Sequence, residues 1–286
     1  MTVDVEDWFQ VGAFENVINR DDWDDLPCRV DRNTHEILDL FADKDVKATF
    51  FTLGWVAERY PNLIKRIVRD GHELASHGYS HYRVTQQSRA EFEEDINKTK
   101  KMLEDLGGTE VIGYRAPSYS IGQENLWAHE VIEDAGYLYS SSVYPIVHDH
   151  YGMPDAPRFP YMCRENLLEI PISTLIKAGK TMPIGGGGYF RLFPYCVSKW
   201  AVGSVNNNEE QSTLFYFHPW EIDPDQPRQK NASAKSRFRH YLNLKKMKPR
   251  LERLCNDFSW STMKEVFYEP AQSLQLTVES LQFQSQ

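Results

Sequence analysis

Residues 61–81 read PNLIKRIVRDGHELASHGYSH and contain one complete helix, a turn and a strand. Pro61 is typical of a first helical position and Gly71 of a helix end. Apolar side chains recur between them at helical spacing: Leu63, Ile64, Ile67 and Val68. The run from Glu73 to Ser76 predicts the next strand, and His77 follows directly after it.

The same helix-to-strand unit recurs on both sides of this stretch. Further helices are predicted at residues 34–41, 90–106, 124–135 and 242–258. Further strands are predicted at residues 2–5, 46–53, 111–115, 137–143, 168–173 and 214–218. Such alternation is typical of parallel strands joined by crossover helices. Because 286 residues suit one α/β domain, the sequence predicts a single barrel or doubly wound sheet.

Residues 147–182 interrupt this alternation, since three prolines break any helix there. We expect a long loop, and its part from Val147 to Tyr161 is a candidate cover for a cleft. The run Gly185 to Gly188 predicts a flexible link. The glycine-rich segments lack the spacing of a phosphate-binding loop, so nucleotide binding is not indicated.

The charge balance is acidic and argues against a nucleic-acid partner. The chain has 32 Lys and Arg against 41 Asp and Glu, a formal net charge of −9, whereas phosphate backbones require clustered cations. The basic stretch from Lys235 to Arg250 is interpreted as a solvated helix face. The longest mostly apolar run, Ala48 to Ala57, is too short to span a bilayer, so no transmembrane segment is predicted.

The start of the chain and its cysteines bear on the compartment. The first seven residues, MTVDVED, carry three acids and no basic or apolar leader, so no signal peptide is predicted there. The four cysteines, at positions 28, 163, 196 and 255, are widely spaced and are interpreted as buried thiols of a reducing compartment. We therefore expect a cytoplasmic protein, with peripheral attachment to the inner membrane as an open alternative.

Two histidines and an acidic strand end predict a metal centre. His77 and His81 are four residues apart, a spacing that lets both imidazoles bind one divalent cation if the segment forms a helical turn. The third ligand is expected at the end of the first strand, as either Glu6 or Asp7. Asp4 shares a strand face with Glu6. Catalytic groups of α/β barrels lie at the carboxyl ends of strands, which favours one shared site.

Two more predicted strands end in side chains with catalytic chemistry. Arg115, in YRAPS, is a candidate to fix a carboxylate through a bidentate pair. His218, in FHPWE, is a candidate general acid. A structural ion pair and a core histidine are the competing interpretations, and the residues alone leave both open.

Five segments make the chain resemble the polysaccharide deacetylases with a NodB-homology domain, carbohydrate esterase family 4. They are TVDVEDW at 2–8, ATFF at 48–51, GHELASHGYSH at 71–81, YRAPSYS at 114–120 and HPWEIDP at 218–224. The chain looks, more narrowly, like the branch associated with exosortase and exopolysaccharide gene clusters. The segments occur in the family's order, which makes the resemblance specific.

The resemblance implies a distorted (β/α) barrel with seven strands and hydrolysis of an acetamide on an N-acetylhexosamine polymer. It implies a divalent cation, Zn²⁺ or alternatively Co²⁺, bound by His77 and His81. It gives Asp4 the role of general base and His218 that of general acid, and Arg115 would hold Asp4 ionised. The substrate partner would be a polysaccharide.

Two departures from the family pattern affect these expectations. Many members have adjacent aspartates in the first motif, whereas Val5 separates Asp4 from Glu6, so the metal carboxylate stays open between Glu6 and Asp7. Ser140 stands where relatives often have aspartate, and we expect a local change of hydrogen bonding there.

The domain boundaries follow from the extent of the resemblance. Residues 1–260 are expected to form the deacetylase domain, with a family-specific extension from position 220 onward and a tail at 261–286. Tyr119 and Trp220 are candidate sugar contacts, although core packing is about as good an interpretation of each ring. Two other functions remain open: hydrolysis of a small cyclic amide or ureide on the same barrel, and polysaccharide binding without catalysis.

Overall fold

The computed structural model of this protein describes residues 1–147 and 152–273. Part of the predicted loop at 147–182 and the second half of the predicted tail at 261–286 therefore lie outside the described residues. No helix in the described ranges is both long and apolar enough to cross a bilayer.

Short strands form one curled sheet and a separate hairpin. The strands are β1 (Thr2–Val5), β2 (Thr49–Thr52), β3 (Glu73–Ser76), β4 (Gly113–Tyr114), β5 (Tyr139–Ser140), β6 (Tyr161–Met162), β7 (Leu168–Glu169), β8 (Thr174–Lys177), β9 (Lys180–Pro183) and β10 (Tyr216–Phe217). The main sheet has the order β10-β1-β2-β3-β4-β5-β7-β6, and β8 pairs only with β9. Seven of its eight strands are parallel, and β6 is antiparallel to β7. The predicted seven-stranded (β/α) barrel is confirmed.

Helices connect the parallel strands. They are α1 (Val30–Asp43), α2 (Gly54–Arg59), α3 (Pro61–Arg69), α4 (Arg89–Gly107), α5 (Trp127–Asp134), α6 (Gly187–Leu192), α7 (Tyr195–Asn208), α8 (Ala234–Tyr241) and α9 (Leu244–Asp257). Short 3-10 turns at Arg20–Asp25, Val84–Gln86, Pro117–Tyr119, Gln123–Asn125 and Pro219–Ile222 lie in the loops. A π-helical turn, Lys264–Tyr268, follows α9.

Local sequence signals define the ends of α4. Ser88 caps its first turn, because the Ser88 hydroxyl accepts a hydrogen bond from Glu91 N while Ser88 N donates to the Glu91 carboxylate. The helix ends at Gly108, whose φ of 64° is in the left-handed region that favours glycine. This helix covers β3, the strand that leads to His77.

Three expectations about local structure were wrong. Gly187 begins α6, so the glycine run is no flexible link. Cys196 is exposed and only Cys255 is buried, although all four cysteines are free thiols. Segment 77–81 is a turn and not a helical turn, because Gly78 and His81 have φ values of 73° and 54°.

The first residues of the predicted tail pack into the core. Met263 is 1% exposed, and its backbone N donates to Thr49 Oγ1 at 2.7 Å. Lys264 N donates to the Glu73 carboxylate. Residues that follow position 260 thus support the sheet beneath β2 and β3.

Candidate active site

Four strand ends bring the predicted site residues together. Asp4 and Glu6 follow from β1, His77 and His81 from β3, Arg115 from β4 and His218 from β10. These are neighbouring or next-neighbouring strands in the sheet, and in parallel sheets all carboxyl ends lie at one edge. The polar side chains share this edge in a largely buried cleft.

Glu6, His77 and His81 form a buried cluster. One potential ligand atom of each lies within 4.8 Å of those of the other two, and the three side chains are the candidate metal group found in the described residues. Glu6 Oε2 is 2.8 Å from His81 Nε2 and has no further hydrogen-bond partner. A buried carboxylate oxygen without a further hydrogen-bond partner suits a cation, because a buried charge without a partner is energetically costly.

His77 is prepared as a neutral ligand, and the turn that carries His81 is fixed by hydrogen bonds. His77 Nδ1 is 2.7 Å from the carbonyl oxygen of Arg115; a proton on Nδ1 leaves the lone pair of Nε2 for a cation. Burial lowers the pKa of His77 to about 4. Arg20 fixes the turn that carries His81 by donating to the Ser80 and His81 carbonyl oxygens at 2.8 and 3.0 Å.

The Glu6 carboxylate is held ionised. Burial alone would raise its pKa, but the neighbouring His81 and His218 hold that pKa at about 2. Two imidazoles and one carboxylate are a donor set that zinc takes in catalytic sites, with a further position left open for water or substrate. The residues present therefore fit a divalent cation.

Asp7, the alternative carboxylate, has a different place. Its two oxygens accept hydrogen bonds from the backbone N–H groups of Trp8, Arg29 and Val30 at 2.8, 2.5 and 2.8 Å. Arg29 and Val30 are the cap and first residue of α1, where a negative charge is stabilised by the helix dipole. The structure brings Glu6, and not Asp7, to the two histidines.

Asp4 and Arg115 form a buried ion pair next to the cluster. Arg115 Nη1 lies 2.5 Å from Asp4 Oδ1 and 2.9 Å from Thr2 Oγ1. Arg115 Nη2 donates to Ser141 Oγ at 3.1 Å, and the guanidinium lies 3.9 Å from the centre of the Phe51 ring. The arginine is completely buried, so its orientation is fixed from several sides.

The second oxygen of Asp4 faces the cleft. Tyr119 Oη donates to Asp4 Oδ2 at 3.4 Å, and His218 Nε2 is 3.9 Å from the same oxygen. His218 Nε2 is also 3.6 Å from Glu6 Oε1. Asp4 and His218 therefore flank the cluster of Glu6, His77 and His81.

His218 is the most accessible of these side chains, at 19% exposure. Its Nδ1 lies 2.9 Å from Glu221 Oε1, and Arg191 Nε donates to Glu221 Oε2 at 2.7 Å. Burial opposes protonation of His218, but Glu6 and Glu221 raise its pKa to about 9. The imidazolium form is therefore available to donate a proton.

Sequence reasoning missed Glu221 and Arg191. Glu221 follows His218 by three residues and also accepts from His218 N at 3.1 Å, which is the spacing of a capping box and was a usable signal. Arg191 gave no signal, because tertiary packing alone brings α6 behind His218.

The two rings predicted to contact sugar have other surroundings. Trp220 is 6% exposed and stacks on His218 and His240 with ring centroids 5.2 and 4.1 Å apart. Its indole N–H donates to Glu6 Oε1 at 3.3 Å. The buried Trp220 therefore supports His218 and Glu6 and is no platform for a sugar ring. Tyr119 is 5% exposed, and only its hydroxyl faces the site.

Ser140 belongs to a buried hydrogen-bond chain behind Arg115. Ser140 Oγ donates to Ser142 Oγ at 2.9 Å, and Ser142 Oγ accepts from Ala116 N. Glu169 supplies a buried carboxylate here, since its Oε1 accepts from the N–H groups of Ser142 and Val143. A buried carboxylate on β7 thus lies next to this hydrogen-bond chain.

Fold and site define an α/β-barrel protein with a candidate metal centre at the carboxyl ends of its strands. A family model described as polysaccharide deacetylase matches residues 22–140, and one described as a domain of unknown function, DUF3473, matches residues 141–268. The predicted resemblance to the polysaccharide deacetylases is therefore confirmed over residues 22–140. The second match begins well before position 220, where the extension was expected.

Curated relatives match about a third of the chain. A Bacillus cereus peptidoglycan-N-acetylglucosamine deacetylase is 40% identical over 98 residues, which are 34% of this chain and 36% of the relative. A Listeria monocytogenes peptidoglycan-N-acetylglucosamine deacetylase is 35% identical over 91 residues, 32% of this chain and 20% of the relative. The chain thus spans about a third or less of the length of these two relatives.

Solved structures support the fold over most of the chain. A structure from Mycobacterium smegmatis described as a polysaccharide deacetylase has a TM-score of 0.60 and 17% identity, and covers 96% of this chain and 90% of its own. Another structure, from Pseudomonas aeruginosa, has a TM-score of 0.52 and 19% identity, and the match covers 82% of this chain and 71% of the other. At these identities the likeness establishes the barrel.

Proposed function

We propose that the protein is a metal-dependent hydrolase that removes N-acetyl groups from an N-acetylhexosamine-containing polysaccharide, in exopolysaccharide biosynthesis. The observation that carries the proposal is the buried cluster of Glu6, His77 and His81, with His218 Nε2 3.6 Å from Glu6 Oε1 and 3.9 Å from Asp4 Oδ2. This arrangement provides ligands, a base and an acid within one cleft.

Glu6, His77 and His81 would hold the divalent cation, Zn²⁺ or Co²⁺. A cation in such a site lowers the pKa of water from 15.7 to about 7 and polarises a carbonyl oxygen, which is what attack on an acetamide requires. The Trp220 N–H and the Arg115 carbonyl oxygen fix Glu6 and His77 from behind. Such supporting contacts orient ligands before a cation binds.

Asp4 is the proposed general base. Arg115 binds Asp4 Oδ1 and so leaves Oδ2 toward the cleft, where it is in place to take a proton from water. The buried guanidinium fixes the position of this carboxylate. Arg115 is thus a positioning residue, because it acts through Asp4.

His218 is the proposed general acid. Its Nε2 faces Glu6 and Asp4, while Nδ1 is engaged by Glu221. Arg191 in turn holds Glu221, so the imidazolium has a fixed orientation. His218 Nε2 would donate its proton to the departing amine of the sugar.

Acetate release from chitooligosaccharides tests the proposal. The protein is stripped with a chelator, and acetate is measured before and after Zn²⁺ or Co²⁺ is restored. We expect release only with metal, and at least about a hundredfold less in His77→Ala. His35→Ala, at a partly exposed position on α1, is the matched control and should keep parental turnover.

Three outcomes would contradict the proposal. Metal-independent release would exclude the cation, and full turnover of His77→Ala would exclude the cluster. Hydrolysis of a cyclic ureide such as allantoin, with no acetate from any polymer, would support the small-amide alternative instead. Metal content by elemental analysis keeps the cluster testable even without turnover.

A further inference from the structure

The basic stretch near the carboxyl end forms more than a solvated face. Residues 228–250 contain nine Lys and Arg and no Asp or Glu, in a chain with a net charge of −9. The nine are Arg228, Lys230, Lys235, Arg237, Arg239, Lys245, Lys246, Lys248 and Arg250. Such concentrated charge creates a local positive potential on an acidic protein.

Part of this stretch lines a surface cavity of about 340 Å³. Arg228 and Lys230 enter it from the loop before α8, and Arg237, Phe238 and Tyr241 from α8 itself. None of its lining residues is an acid. The cavity therefore combines three cations with two aromatic rings and lacks an internal counter-charge.

Hydrogen bonds shape the cavity in advance. Tyr241 Oη donates to the Pro227 carbonyl oxygen at 3.1 Å and accepts from Gln229 N at 2.7 Å, so one hydroxyl fastens the loop to α8. The Arg228 guanidinium lies 4.2 Å from the centre of the Tyr241 ring. Phe238 is 60% exposed, a large apolar surface left to solvent beside these cations.

A chain of ring contacts, two stacked and one edge-to-face, runs from the candidate active site to this cavity. The ring centroids of His218 and Trp220 are 5.2 Å apart, those of Trp220 and His240 are 4.1 Å apart and those of His240 and Tyr241 are 4.7 Å apart. Tyr241 is therefore three short ring contacts from the proposed general acid.

We propose that this cavity binds an acidic sugar of the polymer substrate, one that carries a carboxylate or a phosphate. The inference rests on the proposed function, because that function is what makes the polymer a substrate. Arginine recognises such anions through its fork of N–H groups, and exposed aromatic rings pack on the apolar face of a sugar. A concave site with one strongly exposed ring fits a discrete saccharide better than a flat bilayer surface.

Direct binding tests the proposal independently of turnover. Trigalacturonate, a carboxylate ligand, and glucosamine 6-phosphate, a phosphate ligand, are titrated into the full chain by calorimetry, with neutral chitotriose for comparison. We expect at least one acidic ligand to bind more tightly than chitotriose, and its affinity to fall as salt is raised. Whichever acid binds better identifies the anionic group.

Substitutions locate the binding. Arg228→Gln with Arg237→Gln should weaken binding of the acidic ligand by about tenfold, because the double variant loses two ion pairs with the anion. Lys65→Gln, an exposed cation on α3, is the matched control and should leave affinity unchanged. Circular dichroism of the double variant verifies that it is folded.

Several results would contradict the proposal that this cavity binds an acidic sugar. Equal affinity for acidic ligands and chitotriose would show that charge has no role in binding. An unchanged affinity of the double variant for the acidic ligand would show that the ligand binds outside this cavity. Association with phosphatidylglycerol vesicles, without binding of either acidic sugar, would replace the saccharide by a membrane. If no acetate is released from any polymer while acidic sugars still bind here, the proposed function fails and the pocket stands.

Discussion

Two carboxylates in neighbouring positions do different work. Glu6 points to His77 and His81, whereas Asp7 turns back to the amino end of α1. Backbone alternation after β1 separates them, because successive side chains of an extended segment face opposite ways. One acid is left for a cation and the other fixes a helix.

Glu6→Gln should therefore affect metal binding, and Asp7→Asn should affect stability. Glu6→Gln loses the anionic ligand, so Zn²⁺ binding should weaken by at least about tenfold. Asp7→Asn should bind Zn²⁺ like the parent but lose about 1–3 kcal/mol of unfolding free energy, because an amide oxygen cannot accept all the N–H groups that the carboxylate accepts. Metal titration and urea unfolding measure the two effects. A normal affinity in Glu6→Gln would contradict the assignment.

Arg115→Lys tests the link between the guanidinium and Asp4. Lysine keeps the buried positive charge but cannot reach Asp4 and Ser141 with separate N–H groups as the guanidinium does. We expect turnover to fall by about a hundredfold with little change in metal affinity, since misplaced catalytic groups are costly. Arg89→Lys, whose arginine pairs with Glu130 on the surface, serves as control. Parental turnover in Arg115→Lys would remove the positioning role.

At the scale of elements, the start of α6 is tied to the candidate acid. A Cβ atom at Gly187 would lie 2.3 and 2.5 Å from the two carboxylate oxygens of Glu221, while one at Gly188 would meet nothing within 4 Å. Glycine at 187 thus makes room for the carboxylate that orients His218. The neighbouring glycine has no such role.

Gly187→Ala and Gly188→Ala form a matched pair. Gly187→Ala should displace Glu221 from His218 and lower turnover by about tenfold or more. Gly188→Ala lies on the exposed side of the helix and should keep turnover while adding roughly 0.5–1 kcal/mol of stability, because alanine loses less chain entropy. Steady-state kinetics and thermal unfolding of both variants provide the comparison. Equal turnover in Gly187→Ala and Gly188→Ala would show that Glu221 tolerates the added methyl group at position 187.

The sequence predicted the elements whose pattern is local. Periodic apolar residues located α3 and α4, and β1 and β3 have the predicted bounds. Helix α7 was missed because Tyr195, Ala201 and Ser204 give its buried side no clean apolar stripe. Strand ends identified Asp4 and His218, but not Arg191, which reaches the site only through the tertiary fold.

At the scale of the whole molecule, His72 makes stability depend on pH. Burial lowers its pKa from 6.5 to about 4, and its Nδ1 accepts a hydrogen bond from Ala48 N at 3.2 Å. Below pH 6.5 the unfolded chain takes up a proton that the folded protein resists until near pH 4. Stability attributable to His72 is therefore lost as pH falls through that window, by up to about 3 kcal/mol.

His72→Asn should reduce this sensitivity to acid. The asparagine oxygen can accept from Ala48 N in place of Nδ1 but takes up no proton. Urea unfolding across the range from pH 4 to pH 8 should give a flatter stability curve for the variant, with its largest relative gain at the acid end. The difference between the two proteins at pH 8 reports packing alone. Parallel curves for the two proteins would contradict the role of His72.

The place of β1 in the sheet affects how the protein can fold during synthesis. Its neighbours are β2, made shortly afterwards, and β10, since Thr2 and Phe215 share a hydrogen bond across 213 residues. At about 5–20 residues per second, a ribosome needs on the order of 10–40 s to complete that distance. Glu6, His77 and His81 all come from the first 81 residues, so these three side chains leave the ribosome well before His218 does. One edge of β1 has no β10 partner during that interval, so it is a strand edge that can pair with other chains until synthesis has passed residue 217.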